Sequence, residues 1–216
     1  MPAVRVAPAR KLPRAFFNRP TLQVAEDVLG MVLVHRTPEG ITSGRIVEVE
    51  AYIGEDDPAC HAAPGPTRRN QPLYGPPGFS YVYLNYGMHY LTNLVTEAEG
   101  SPAAVLVRAL EPLDGIDLMR RRRTRTGETM ADADLCRGPG NLSRALGITL
   151  DQNWLDLQGD ELYVENRGRR RQDVVWTPRI GIAVGTEQLW RCHVRESRAV
   201  SGRRLKTRVG RAGPAG

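Results

Sequence analysis

The chain has 216 residues, 41% of them hydrophobic, which is enough for one substantial core and short for two independent ones. Its 30 Lys plus Arg against 24 Asp plus Glu give a formal charge of +6 and a pI near 9.6, a balance that favours polyanionic partners without establishing one. Only Lys11 and Lys206 are lysines, and Cys60, Cys136 and Cys192 form no C-x-x-C pair, so a central catalytic amine, a four-cysteine zinc site and an iron–sulfur cluster held by this chain alone are all excluded.

No apolar run reaches the length of a membrane span, and Met1 to Pro13 lacks the hydrophobic centre of a signal peptide, so a soluble, intracellular protein with reduced thiols is expected. Residues 1–13 read as a flexible basic arm, 14–202 as one domain and 203–216 as a basic disordered tail. Thr21 stands where a helix N-cap would, with Leu22, Ala25, Val28 and Leu29 on an apolar face and Gly30 as a stop before a strand from Met31 to His35. Thr42 to Tyr52 reads as a strand, and the Pro/Gly-rich stretch from Pro58 to Gly78 as a long loop carrying His61, Arg68 and Arg69.

Tyr81–Asn85 and His89–Val95 predict a hairpin bent at Tyr86-Gly87-Met88, which puts Tyr86 at its tip. Ala103–Leu110 predicts an apolar strand bearing Arg108, and Glu111-Pro112 the start of a helix ending in Arg120 to Arg123. Gly138 to Asn141 leads into a helix from Leu142 to Leu146, Glu165–Gln172 reads as a polar connector, and Pro178–Gly185 with Trp190–Arg195 as a last strand pair.

Chemistry concentrates in Arg45 to Tyr52. Strict alternation sends Val47, Val49 and Ala51 to one face and Ile46, Glu48, Glu50 and Tyr52 to the other. Carboxylates beside aromatic rings in a basic chain point to a pocket that stacks a flat ring, such as a nucleobase, and works on it with an acid or base. Glu50 has the stronger claim as that base, although an exposed strand glutamate is ordinarily just solvated, and Glu48 competes for the role. Tyr52, Tyr83, Tyr86 and His61 together make a stacking site; singly, each tyrosine is more ordinarily a half-buried strand residue. Asn93 and Arg108 are polar positions within apolar strands, suited equally to a ligand and to structural hydrogen bonds.

Five ordered motifs carry a resemblance: Glu-Val-Glu-Ala-Tyr at 48–52, Ala-Cys-His at 59–61, Tyr-Val-Tyr-Leu-Asn-Tyr-Gly-Met at 81–88, Arg-Ala-Leu-Glu-Pro at 108–112 and Leu-Cys-Arg-Gly-Pro-Gly-Asn-Leu at 135–142. Together they resemble the alkyladenine DNA glycosylases, also called 3-methyladenine or N-methylpurine glycosylases, from about Phe16 to Gly147. Beyond Gly147 the match is expected to fade, because Arg191-Cys-His-Val-Arg-Glu196 stands where the family usually shows an aromatic-rich final strand.

The resemblance implies an α+β fold: a single compact domain with a curved, mostly antiparallel β-sheet, surrounding helices and a protruding β-hairpin. It implies a monofunctional purine DNA glycosylase of base-excision repair that needs no metal or cofactor. Its partner would be double-stranded DNA holding alkylated or deaminated purines, met as a monomer, in the cytoplasm at the nucleoid or, in a eukaryote, in the nucleus. By matching position, Glu50 would activate the water, Arg108 help orient it and the sugar-phosphate, and Tyr52, His61 and Tyr83 sandwich the flipped base, with His61 also hydrogen-bonding near the lesion. Asn93 would crowd the exocyclic amino group of guanine and Tyr86 intercalate. Arg68, Arg69 and the run 120–123 are candidates for phosphates.

A glycosylase with lyase activity through Pro2 lacks its usual zinc finger here. Gly138-Pro-Gly140 resembles a helix-hairpin-helix turn over only three residues. A non-catalytic protein that binds damaged or structured nucleic acid has no need of Glu50.

Overall fold

The computed structural model describes residues 10–124, 128–168 and 173–202. Its frame is an antiparallel, curled sheet. The strands are β1 (Arg10–Lys11), β2 (Val32–Thr37), β3 (Gly40–Ile53), β4 (Ser80–Asn85), β5 (His89–Val95), β6 (Ala103–Asp114), β7 (Leu162–Asn166), β8 (Val174–Thr177) and β9 (Arg191–Val194). The path runs β1-β7-β2-β3-β6-β5-β4, with β9 paired to β3 and β8 to β9. Among the described residues five α-helices accompany it: α1 (Arg14–Phe17), α2 (Thr21–Val28), α3 (Ile116–Arg123), α4 (Asp132–Leu135) and α5 (Pro139–Leu146). The α+β domain expected from the resemblance is the one found.

One face of the sheet buries the main core. Val24, Ala25 and Val28 of α2 and Leu142, Ala145 and Leu146 of α5 pack on Ile46, Val49 and Ala51 of β3 and Val105, Val107 and Leu110 of β6. Burying this many aliphatic side chains, each worth about 1.5–3 kcal/mol, is what holds the helices to the sheet. A second cluster, with Cys60, Leu73, Tyr81 and Ala104 among its members, lies under the loop from Pro58 to Gly78.

Strand β3 organises the site. Residues 40–45 pair with β2, residues 48–50 pair with β9, and most of its length pairs with β6 on the other side. Its register against β6 slips three times, between Ser43 and Gly44, between Ile46 and Glu48 and between Glu48 and Val49; the last two slips leave Val47 and Arg108 each without an opposite residue. A bulge re-aims side chains. Strict alternation is therefore broken: Ile46 and Leu110 face the main core, while Val47 packs with Ala109 and Ala199. Glu48 and Glu50 keep their common face.

Several sequence expectations are corrected. The chain is already in the sheet at Arg10, whose strand pairs with Asn166, and Leu12 is buried, so the expected arm loses its last four residues; its first nine, and residues 203–216, lie outside the described residues. Thr21 is the first residue of α2 rather than its cap, and its hydroxyl bonds Thr96 and Glu97 instead. Glu111-Pro112 does not open a helix: β6 runs on to Asp114, and Pro112 sits opposite Gly44 where β6 has no second strand partner to miss its N–H. Gly44 is needed there, because a Cβ would stand 2.7 Å from that of Leu110. Glu165 and Asn166 belong to β7 rather than a connector, whose residues 169–172 lie outside the described ones. The last strand pair is β8 with β9, and Pro178–Gly185 is irregular chain.

Candidate active site

Glu48 and Glu50 are both fully buried, and both bind Arg108. Arg108 donates from Nη1 to Glu50 Oε2 at 3.0 Å and from Nε to Glu48 Oε1 at 3.1 Å. Their other partners separate the two carboxylates. Glu50 Oε2 also accepts from the Tyr52 hydroxyl at 2.9 Å, and Oε1 accepts from the backbone N–H of Ile180 at 2.7 Å. Glu48 is saturated deeper in the fold, by Arg191 Nε at 2.7 Å, the Ser201 hydroxyl at 2.8 Å and the Ser201 N–H at 2.5 Å. Two arginines and a full set of donors compensate the buried charge.

Tyr52, Arg108 and Ile180, the three partners of Glu50, all line a cavity of about 350 Å³, whereas only Arg108 among the partners of Glu48 does. Glu50 therefore lies directly behind the cavity wall, and Glu48 one layer further back. His61, Tyr83 and Asn93 line the same space. The His61 and Tyr83 ring centroids are 4.4 Å apart, too close to admit a third ring, so these two form a single wall. Tyr52 is backed by Arg179, whose guanidinium carbon sits 4.7 Å from its ring centroid. Asn93 is buried and donates from Nδ2 to the Tyr81 carbonyl at 2.9 Å.

Burial shifts the titrating groups consistently. The Tyr83 phenol is pushed up to about 12 and the Tyr52 phenol further, the latter helped by the neighbouring Glu50 charge. His61 is lowered, by burial first and by the Arg69 charge second.

The hairpin of β4 and β5 carries Tyr86 on its turn, 84% exposed, with Met88 beside it. Tyr86 and Gly87 both have positive φ, 49° and 68°, and the Met88 N–H closes the turn on the Asn85 carbonyl. Glycine tolerates that backbone freely, whereas tyrosine holds it at a cost that such turns concentrate near functional sites. Tyr86 also lines the mouth of the cavity.

Arg68 and Arg69 are exposed on the loop beside this mouth; Arg69 lies 5.5 Å over the Tyr83 ring and donates to the Leu84 carbonyl. The run 120–123 goes elsewhere. Arg120 pairs with Asp132, Arg122 with Glu39, and Arg123 donates to the Leu135 carbonyl, so these arginines fasten α3 to its neighbours.

Sequence reasoning missed four residues. Arg179 is buried, clamps Asp57 through two bonds of 2.6 and 2.8 Å, and so fixes Ile180 over Glu50. Tyr81 was treated as a strand aromatic but bonds His61 Nδ1 at 2.8 Å. Arg191 and Ser201 hold Glu48. Pro178 with Gly181 and Gly185 was the signal against a strand and for a loop that folds back on the site. Among the described residues no cluster of His, Cys, Asp or Glu is arranged to hold a metal, and no helix is long and apolar enough to cross a membrane.

The comparisons extend this picture along the chain. The family model described as Methylpurine-DNA glycosylase (MPG) matches residues 15–198. A protein of Chlorobium phaeobacteroides is 46% identical over 198 residues, covering 90% of this chain and 96% of its own length. One of Rubrobacter xylanophilus is 51% identical over 187 residues, 83% and 95%, and one of Methanocella arvoryzae 46% over 196, 89% and 96%. All three carry the name "Putative 3-methyladenine DNA glycosylase". The match does not fade after Gly147: it continues through Arg179 and Arg191, which the fold has turned inward to the site. The chain belongs to the methylpurine-DNA glycosylase family.

Proposed function

We propose that this protein is a base-excision-repair glycosylase that takes an alkylated or deaminated purine out of double-stranded DNA and hydrolyses its N-glycosidic bond. The observation that carries the reading is the buried Glu50–Arg108 pair directly behind an aromatic cavity whose mouth holds an exposed tyrosine. The extruded base stacks between Tyr52 on one side and the joined His61–Tyr83 wall on the other, while Tyr86 fills the gap left in the duplex. Asn93, pinned by the Tyr81 carbonyl, occupies the cavity beside the base and crowds an exocyclic amino group. Arg68 and Arg69 flank the mouth where the phosphates of a flipped nucleotide pass.

Chemistry follows from the pair. As the C1′–N bond breaks, its electrons leave with the purine and the sugar gains oxocarbenium character, which the Glu50 carboxylate stabilises. Water attacks C1′ and Glu50 takes its proton, with Arg108 holding the carboxylate in place. A cationic methylated purine leaves without further help, and a neutral one takes up a proton from solvent on departure. The enzyme is monofunctional in this reading: no lysine lines the cavity among the described residues, and Lys11, on β1, is tied to Asp160. It acts as a monomer, in the compartment that holds the DNA, and needs no cofactor.

Purified protein incubated with duplexes holding one hypoxanthine or methylated purine, followed by alkali, yields nicks only at the lesion. Lesion-specific binding without nicks would favour the binding protein instead.

A further inference from the structure

A second cleft, of about 530 Å³, opens between the end of β2 and the turn before β7, with His35, Asp151, Asp160 and Glu161 in its lining. It shares no lining residue with the aromatic cavity. His35 pairs with Thr42 on β3, and Glu50 lies further along that strand, roughly 25 Å away at about 3.3 Å per residue.

At the base of this cleft His35 is only 1% exposed. Its Nδ1 lies 2.9 Å from the Leu146 carbonyl, which can only accept, so Nδ1 carries a proton. Burial lowers the imidazole from its ordinary value of 6.5 and keeps the ring neutral near pH 7, so that proton is its only one and Nε2 presents a bare lone pair. Nε2 has no hydrogen-bond partner among the described residues. Glu161 Oε1 stands 3.9 Å off and, as a carboxylate oxygen, accepts rather than donates. A buried acceptor that meets no donor is costly, and this one is turned to the cleft.

The lining is acidic on a chain whose formal charge is +6. Gln152 donates to Glu161 Oε1 at 2.8 Å and so holds that carboxylate beside Nε2. The cations nearby are engaged: Arg36 donates to the Tyr163 hydroxyl, Arg122 pairs with Glu39, and Lys11 pairs with Asp160. Among the described residues these groups are not arranged to hold a metal ion. An alkylammonium group fits them better, because it brings three N–H donors, no acceptor and a slim stem. The cleft has the size of a small-molecule site, and Asp151 and Asp160, both exposed, extend the acidic lining beyond Glu161.

We propose that this cleft binds a small aliphatic diamine or polyamine, with one ammonium head between His35 Nε2 and Glu161 and the next against Asp151 and Asp160. The assignment stands independently of the base-pocket reading.

The full chain labelled with ¹⁵N-histidine is titrated with the diamine putrescine at constant ionic strength. There are four histidines, so the His35 signals are assigned by elimination, from the signals lost in His61→Gln, His89→Gln and His193→Gln. The free protein shows a protonated Nδ1 and a bare Nε2, and putrescine moves the Nε2 signal upfield as it accepts a hydrogen bond. Asp151→Asn with Glu161→Gln, two exposed positions outside the catalytic machinery, weakens that binding about ten-fold or more. Butylamine, with one head, binds more weakly than putrescine, and tetramethylammonium, with no N–H, leaves the signal in place. An Nε2 signal that putrescine does not move, or that tetramethylammonium moves equally, overturns the proposal. So does an affinity unchanged in the double variant, or butylamine binding as tightly as the diamine.

Discussion

Replacing Glu48 by glutamine tests the carboxylate held inside the fold separately from Glu50, the one proposed to act as the base. The wild-type cluster is balanced, with Arg108 and Arg191 facing Glu48 and Glu50, all four buried. Glutamine keeps the shape and one acceptor oxygen but removes the charge, leaving two guanidinium groups against Glu50 alone, and it turns an N–H toward the Ser201 N–H that Glu48 Oε2 now accepts. Hydrogen bonds to charged groups are worth about 1.5–3 kcal/mol each. Weakening the two arginine contacts therefore costs about 3 kcal/mol, a large part of the roughly 5–15 kcal/mol that holds a domain. At about 2–4 °C per kcal/mol for a chain of this size, the melting temperature falls by about 6–12 °C in scanning calorimetry. Arg191→Met in the Glu48→Gln background removes the unpaired charge and recovers part of the loss, so the two changes are not additive. A melting temperature within about 2 °C of wild type, or strict additivity, would refute the role given to this cluster.

Tyr86→Ser leaves stability unchanged, since the ring contributes nothing to the core, but weakens base extrusion, read as a smaller fluorescence change of a reporter base at the lesion; an undiminished change removes the wedge role. Stability falls as pH drops from about 7 to 5.5, because His35, His61 and His193 have lowered folded-state values and the unfolded chain, with histidines near 6.5, binds the extra protons first. A melting temperature that is flat or rises across that interval contradicts those three environments. Aromatic disulfide reagents find no reactive thiol in the folded protein, because Cys60, Cys136 and Cys192 are buried and burial pushes the first two up to about 11 and 12. Rapid labelling before unfolding would refute this.

Much of the site was legible because strand chemistry is local. The period-two pattern over 48–52 placed Glu48, Glu50 and Tyr52 on one face, and a glycine between two aromatic strands placed Tyr86 on a turn. Seeing that Glu50 lies directly behind the cavity wall and Glu48 does not needed the tertiary fold, since it rests on which partners reach the cavity, and those come from residues 108, 180, 191 and 201. The paired register slips at Val47 and Arg108 were invisible for the same reason: a bulge is a property of two strands, and neither sequence shows it alone. Pro112 misled because a proline after an acidic residue signals a helix start, and only the absence of a strand partner on that side lets β6 carry it. The segment 178–185 misled in the other direction, its apolar residues reading as a strand when Arg179 and Asp57 hold it as a loop.

In the proposed mechanism Glu50 is the group that takes the proton from water. Single-turnover excision from a hypoxanthine duplex, measured for Glu50→Gln beside the affinity of the same protein for that duplex, tests it most directly. The rate should fall by a factor on the order of 10²–10⁴, the usual weight of a general base, with lesion affinity retained. Excision within about tenfold of wild type would place the base elsewhere.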